Sequence, residues 1–327
     1  YNIAANGALT LASGGSKTIT VTTGSGFDID NSADDMSKNA TYAVVAPGTH
    51  TFRIRYWLRN TTDNPGGAIE GTVSKIVTLN CTAGSIHDVT ANLNPHDYDG
   101  NHYYMWDAKE QYWKGYEWTK NLGVGVGQPT VNYWFPGGAP SSNYPKRSDA
   151  DGRFYHEGSG YIQASNSCAG LPNVNEMTWY AAKGEPRWDA DELWTTMGHL
   201  YKGGMWFKKK SVLQAESHYD TEKGADGSTD SRVAYKYYTN TNSSIASGIP
   251  SAADANKYFF LPALGYYNSG MLIGVGGSSG YYWSSSASPM YNYSACFLEF
   301  TNSSVQVFHG YRHYGHIAQP FSDFGDN

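Results

Sequence analysis

The sequence predicts an N-terminal all-β antiparallel sandwich followed by an α+β domain. Three observations carry this. Residues 1–94 read as short β-branched runs separated by Gly, Ser and Pro. Residues 94–100, Asn-Pro-His-Asp-Tyr-Asp-Gly, break both strand and helix. Beyond them two helical patterns precede a final return to strands. A length of 327 residues gives each part room for its own core, and the expected boundary divides the chain into 1–94 and 95–327.

In the first part, Ala8-Leu9-Thr10-Leu11 and Lys17-Thr18-Ile19-Thr20-Val21-Thr22 are short strand candidates. Residues 51–58 are the clearest strand. Phe52, Ile54, Tyr56 and Leu58 fall on one face, and Thr51, Arg53, Arg55 and Trp57 on the other. Residues 72–79 and 86–93 continue the series, at the strand spacing of a sandwich. After the break, Trp106, Trp113, Trp118 and Trp134 arrive close together. Asn173 with Glu176 has capping-box spacing, and Met177, Tyr180 and Ala181 form a helical stripe. Asp189 with Glu192 repeats the cap before Leu193, Met197 and Leu200, and predicts a second helix. A short third helix is expected from Pro250 to Ala253, and strands from Tyr258 onward.

Composition fits a secreted β-rich protein, with 27 Tyr, 10 Trp and 37 Gly against 16% charged residues. The formal net charge of −6 argues against a nucleic-acid partner. The basic run Lys208-Lys209-Lys210 reads as a solvated strand end or turn. The sequence contains no apolar run of membrane-spanning length. Tyr1-Asn2-Ile3 is not an initiator, so a processed form is expected, with any export signal or lipid-anchor Cys upstream. Three cysteines, Cys81, Cys168 and Cys296, cannot all pair and match no zinc spacing. They read as buried small hydrophobes, with a Cys168–Cys296 disulfide as the alternative.

The run Ala46-Pro47-Gly48-Thr49-His50-Thr51-Phe52-Arg53-Ile54-Arg55-Tyr56 resembles the β-sandwich domains of fimbrillin-type pilus and adhesin proteins. Gly170-Leu171-Pro172-Asn173-Val174-Asn175-Glu176, Leu261-Pro262-Ala263-Leu264-Gly265-Tyr266-Tyr267 and Gly280-Tyr281-Tyr282-Trp283-Ser284-Ser285-Ser286 resemble the C-type-lectin-like domains of Bacteroidetes surface proteins. So do Ala295-Cys296-Phe297-Leu298-Glu299-Phe300 and Tyr311-Arg312-His313-Tyr314-Gly315-His316-Ile317. That superfamily also holds formylglycine-generating enzymes and retroelement variable proteins. The resemblance implies a C-type-lectin-like second domain that displays a binding face, on a chain exported to the bacterial surface or a pilus.

Calcium-dependent sugar binding in such lectins needs carbonyl-bearing ligand pairs. Here Glu185-Pro186-Arg187 and Gln128-Pro129-Thr130 put Arg and Thr in place of a ligand. Asp97, Asp99 and Asn101 alternate as calcium ligands do, but lack the Gly and Glu that complete such a loop, and read as turn chemistry. A formylglycine-type enzyme needs two close late cysteines, and only Cys296 lies late. The expectation is therefore a binding protein with no catalytic residue, metal or cofactor. His309, His313 and His316 read as exposed strand-end residues.

Between Tyr281 and His316, 18 of 36 residues are Tyr, Ser, Asn or His, and 6 are Tyr, twice the chain average. This is a paratope-like composition. The candidate ligand-binding residues are Tyr281, Tyr282, Tyr291, Tyr293, His309, Tyr311, His313 and Tyr314, with Trp283 assigned to the core. The expected partner is a protein or glycan on host or neighbouring cells, with other pilus subunits as further partners. A carbohydrate-binding lectin-like module is the runner-up, and a formylglycine-type enzyme or its inactive relative is the third reading.

Overall fold

A computed structural model describes residues 2–10, 12–14, 17–22, 40–60, 68–89, 92–115, 117, 152–153, 163–234, 236, 239–268, 270–277 and 279–326. Trp118, Trp134 and Gln128-Pro129-Thr130 lie outside them. The protein is mainly β, 40% strand against 12% helix, with several mixed sheets and few helices. By compactness it divides into two units, residues 1–54 with 75–92, and residues 55–74 with 93–327. Residues 55–74, grouped by sequence with the first domain, thus belong to the second unit.

In the first unit, β1 (Asn2–Ile3) and β2 (Leu9–Thr10) form an antiparallel ribbon. The long neighbours β3 (Gly48–Asn60) and β4 (Ile69–Cys81) begin and end in this unit. The alternation over residues 51–58 did mark a half-buried strand. Residues 17–22, and 86–89 with 92–93, are not strands. Their β-branched composition is matched by exposed Ile19, Val21 and Ile86, which gain no packing to hold an extended ladder.

The segment expected as an open join is woven into the second unit. β5 (His96–Asp97) runs parallel to a later strand, and Tyr98 N donates to Thr195 O at 2.7 Å. Asp99 Oδ1 accepts from Asn101 N at 2.6 Å, so the Asp-rich stretch does act as turn chemistry. β6 (Tyr103–Tyr104) follows. Helix α1 (Val174–Lys183) opens on the expected capping box: Asn173 Oδ1 accepts from Glu176 N at 3.1 Å, and Glu176 accepts from Asn173 N at 2.7 Å.

The expected second helix is instead a hairpin, β7 (Arg187–Thr196) and β8 (His199–Lys208). Met197 and Gly198 form its two-residue turn, with φ of 52° and 79°. Two positive φ values match the twist of a hairpin and break a helix. Leu193, Met197 and Leu200 share helical spacing, but Trp188, Trp194, Thr195 and Thr196 favour the pleated surface. Asp189 and Glu192 do not cap. A bulge lies between Asp189 and Leu193. Asp189 accepts from Arg55 Nη2 at 3.1 Å and from Trp206 Nε1 at 3.2 Å. Glu192 accepts from Ser74 N at 3.0 Å and Ser74 Oγ at 2.6 Å. Burial raises the Glu192 carboxyl above its ordinary value.

Lys208 is buried at the end of β8, where it donates to Glu185 and Glu216, so the basic run is not wholly solvated. Exposed Glu185, at φ 45°, is a turn residue as expected. Helix α2 (Lys210–Ala215) follows, then β9 (Thr239–Asn242) and β10 (Ala246–Ser247). The third expected helix is a 3-10 turn, Ala252–Lys257, capped by Ser251. The closing strands are β11 (Tyr258–Pro262), β12 (Tyr266–Asn268), β13 (Met271–Ile273), β14 (Ser279–Ala287), β15 (Ser294–Thr301), β16 (Val305–Tyr311) and β17 (His316–Ile317).

One sheet of the second unit centres on β7–β8, with β11 against β8, and β5, β10 and β4 joining β7 in parallel. The other runs β6-β17-β14-β15-β16-β9. The main core joins them: Trp188, Met205 and Phe207 from the first sheet meet Tyr282, Leu298 and Phe300 from the second, with Met177 and Tyr180 of α1. A smaller core, with Trp106, Trp283, Ala295 and Phe297, lies on the other face of β14 and β15. Phe297, Leu298, Val305 and Val307 are buried, as the sequence implied.

Candidate functional site

The period of two in β14 decides where its rings go. Trp283 pairs with Phe297 and belongs to the smaller core, as expected. Tyr281 lies on that same face, half-buried, and donates to Glu299 at 3.2 Å. Tyr282 points the other way. It is fully buried and donates to Pro262 O at 2.7 Å. The sequence reading assigned it to the contact face, and the structure removes it: neighbours on a strand cannot share one face. β14 and β16, expected as direct antiparallel neighbours, are instead separated by β15, antiparallel to both.

The connection from β14 to β15 is a tight turn. Ser288 N donates to Ser294 O at 3.0 Å, and Ser294 N to Tyr291 O at 3.1 Å. Ser288 Oγ accepts from Met290 N at 3.3 Å and Tyr291 N at 3.4 Å. Arg312 clamps it from behind: its backbone N donates to Tyr293 O at 2.9 Å, and its Nε to Ser294 O at 3.0 Å. Its guanidinium is buried over the Trp106 ring, 4.6 Å from the centroid. That stacking holds the clamp in one orientation.

The turn brings four predicted rings into a column. Tyr291 stacks on Tyr293 with centroids 5.2 Å apart, Tyr293 on Tyr311 at 5.7 Å, and Tyr311 on His313 at 5.2 Å. His309 joins at Tyr291, 5.6 Å away, and Tyr314 lies edge-on to Tyr311 at 5.6 Å. Tyr266, which the sequence reading missed, links Tyr314 to Tyr281 with centroids 5.5 and 4.5 Å away. Seven of the eight candidates therefore form one connected aromatic array. Gly310 permits it, since a Cβ there would sit 2.9 Å from the Phe297 ring.

The histidines are not simply exposed. His309 is half-buried, His313 is buried, and His316 is 1% exposed. His316 stacks on Trp283 at 4.0 Å, within a box completed by Phe297, Tyr281, Tyr266 and Tyr314. Burial, then the nearby His313, lowers its pKa well below 6.5, so the ring is held neutral. Burial lowers His309 too. Burial pushes Tyr314 up to about 12, aided by Tyr266 and Tyr311. Burial and Glu299 raise Tyr281. These rings act as neutral hydrogen-bonding groups near neutral pH.

Met290 and Arg312 are the other residues missed. The signal for Met290 was its place after Pro289 in a turn; for Arg312, a guanidinium among neutral residues. All three cysteines are free and buried, so no disulfide joins Cys168 to Cys296. Cys168 Sγ accepts from Asp107 N at 3.3 Å, and burial raises its thiol. Cys296 borders a small recess with Ser231, Ser288 and His309, yet burial pushes its thiol up to about 12. Among the described residues no group of three or more His, Cys, Asp or Glu stands ready for a metal, and no helix is long and apolar enough to cross a membrane. No family model matches the chain, nor does any curated protein or solved structure.

Proposed function

We propose that this chain is an extracellular binding and adhesion protein, attached to a bacterial surface or pilus. Its second unit acts as a C-type-lectin-like display domain, and its N-terminal β unit as stalk or assembly module. The ligand is a protein or glycan on host or neighbouring cells, and other pilus subunits are further partners. The observation that carries this reading is the column Tyr291–Tyr293–Tyr311–His313, partly exposed and fixed to a rigid sheet end by Arg312. Tyr supplies a large amphipathic contact with little rotamer entropy to lose, and a fixed turn removes further ordering cost. Binding is favoured over thiol catalysis because both late-domain thiols are buried and held protonated, where a nucleophile needs thiolate.

The test is adhesion of beads coated with the full chain to a cultured epithelial monolayer. Replacing both Tyr293 and Tyr311 by Ala removes two anchors worth about 1–2 kcal/mol each, so adhesion falls at least about tenfold. Lys257→Ala, at an exposed site, is the control. Beads bearing the double variant that adhere like the parent reject the reading.

A further inference from the structure

We infer that the ligand of this face is an uncharged polypeptide surface, gripped through Met290 and Tyr293. The inference rests on the contact-face reading above and narrows its ligand class.

The first argument is ring geometry. A pyranose docks its C–H face against an open aromatic face. Here Tyr293 stacks with Tyr291 and with Tyr311 at interplanar angles of 22° and 29°, and Tyr311 stacks in turn with His313 at 22°. These ring faces are engaged by one another, as offset-stacked aromatics prefer. What the column turns outward is edges, which suit backbone amides and apolar side chains better than sugar rings.

The second argument is the turn itself. Beyond Ile273, Met290 at 51% and Tyr293 at 37% are the large apolar side chains that stand exposed among the described residues. A thioether offers a sugar hydroxyl little, but adapts to irregular apolar side chains of a partner protein. Aromatic residues and Met are enriched, and charges depleted, at the centre of protein interfaces.

The third is charge. From residue 279 to 311, Glu299 is the single Asp, Glu, Lys or Arg. It is occupied by Tyr281 and by Gln306 Nε2 at 2.6 Å. Lys236, beside the recess, is paired with Asp226. His309 is kept neutral. Sugar sites depend on side chains that fork hydrogen bonds to paired hydroxyls, and the turn presents Met290, Asn292 and Tyr293 with no carboxylate or guanidinium free to do so. An uncharged partner surface loses no hydration of its own charges against such a face.

Two probes decide the matter: a phage-displayed library of random peptides and an array of neutral oligosaccharides, each offered to the full chain. The expected result is peptides whose affinity falls roughly tenfold or more with Tyr293→Ala and with Met290→Ala. That affinity should change less than about twofold between ~50 and ~500 mM NaCl. Circular dichroism of both variants checks that they fold. Oligosaccharides held through Tyr293, with no such peptides, overturn the polypeptide inference and leave the contact face standing. Peptides that depend on Tyr293 but bind with steep salt dependence overturn the uncharged surface. If neither probe binds in a way that depends on either residue, the contact-face reading itself fails.

Discussion

Tyr282 and Tyr281 are chemically identical neighbours with opposite fates, so their substitution separates packing from display. Trp283→Ala empties a fully buried ring site and should destabilise the fold by about 3–5 kcal/mol. Tyr293→Ala, at an exposed turn, should cost no more than about 0.5 kcal/mol. Denaturant unfolding measures both, and a Tyr293 cost near that of Trp283 would make the column a packing device. His316 supplies a pH test. Its folded pKa lies below the unfolded 6.5, so the native state binds fewer protons than the unfolded chain below that pH. Its stabilising effect is therefore complete above pH 6.5 and is lost as pH falls toward the depressed folded value. The slope reaches at most about 1.4 kcal/mol per pH unit. Glu192 and Asp326, raised by burial, act in the opposite sense, from their ordinary values of 4.5 and 3.8 upward. The comparison of parent with His316→Phe isolates the histidine: the parent should lose more stability from pH 7 to pH 5 than the variant. Equal losses would mean that the imidazole already titrates freely in the fold.

Two elements with the same cap pattern in sequence came out as a helix and a hairpin, and the difference is physical. The Asn173–Glu176 box closes on itself, so it was legible from four residues; Asn173→Ala should cost about 1 kcal/mol by removing that acceptor. Asp189 and Glu192 answer to Arg55, Trp206 and Ser74. Two of these partners lie more than a hundred residues away in the chain, where no local pattern reaches. The usable clue was Met197-Gly198 between aromatic and β-branched residues. Gly198→Ala tests the assignment by sign. In a helix the change would stabilise by roughly 0.5–1 kcal/mol, through the lost flexibility of glycine. At φ 79°, with nothing within 4 Å of the added Cβ, it should destabilise by about 1 kcal/mol from backbone strain alone. A raised melting temperature would restore the helix. At the candidate site, the Tyr excess and the core role of Trp283 were legible from composition and alternation. The stacking of Tyr293 between two rings was not, because it depends on the Ser288 turn and on Arg312 reaching back from beyond β16.

At the scale of the molecule, the boundary of the second unit is not a single point in the chain. Residues 55–74 belong to it, and they bring Arg55, Thr72 and Ser74 to the carboxylates of β7. Asp189 is 1% exposed, and its ion pair with Arg55 is partly buried. A fragment starting at Leu93 keeps every strand of the second mixed sheet and the whole aromatic array. It loses all three of those partners, and with them the donors that satisfy two carboxylates at the β7 bulge. Stranding buried charge in this way costs about 3–5 kcal/mol, reduced where water can reach the freed groups. The 93–327 fragment should therefore melt well below the corresponding transition of the full chain, with the gap narrowing at acid pH as the stranded carboxylates protonate. Its Tyr293-dependent binding should survive at temperatures where it remains folded, because the turn and its Arg312 clamp are intact. A fragment that melts with the full chain at neutral pH would show that the hairpin tip is peripheral, and would return the boundary to the single break read from the sequence.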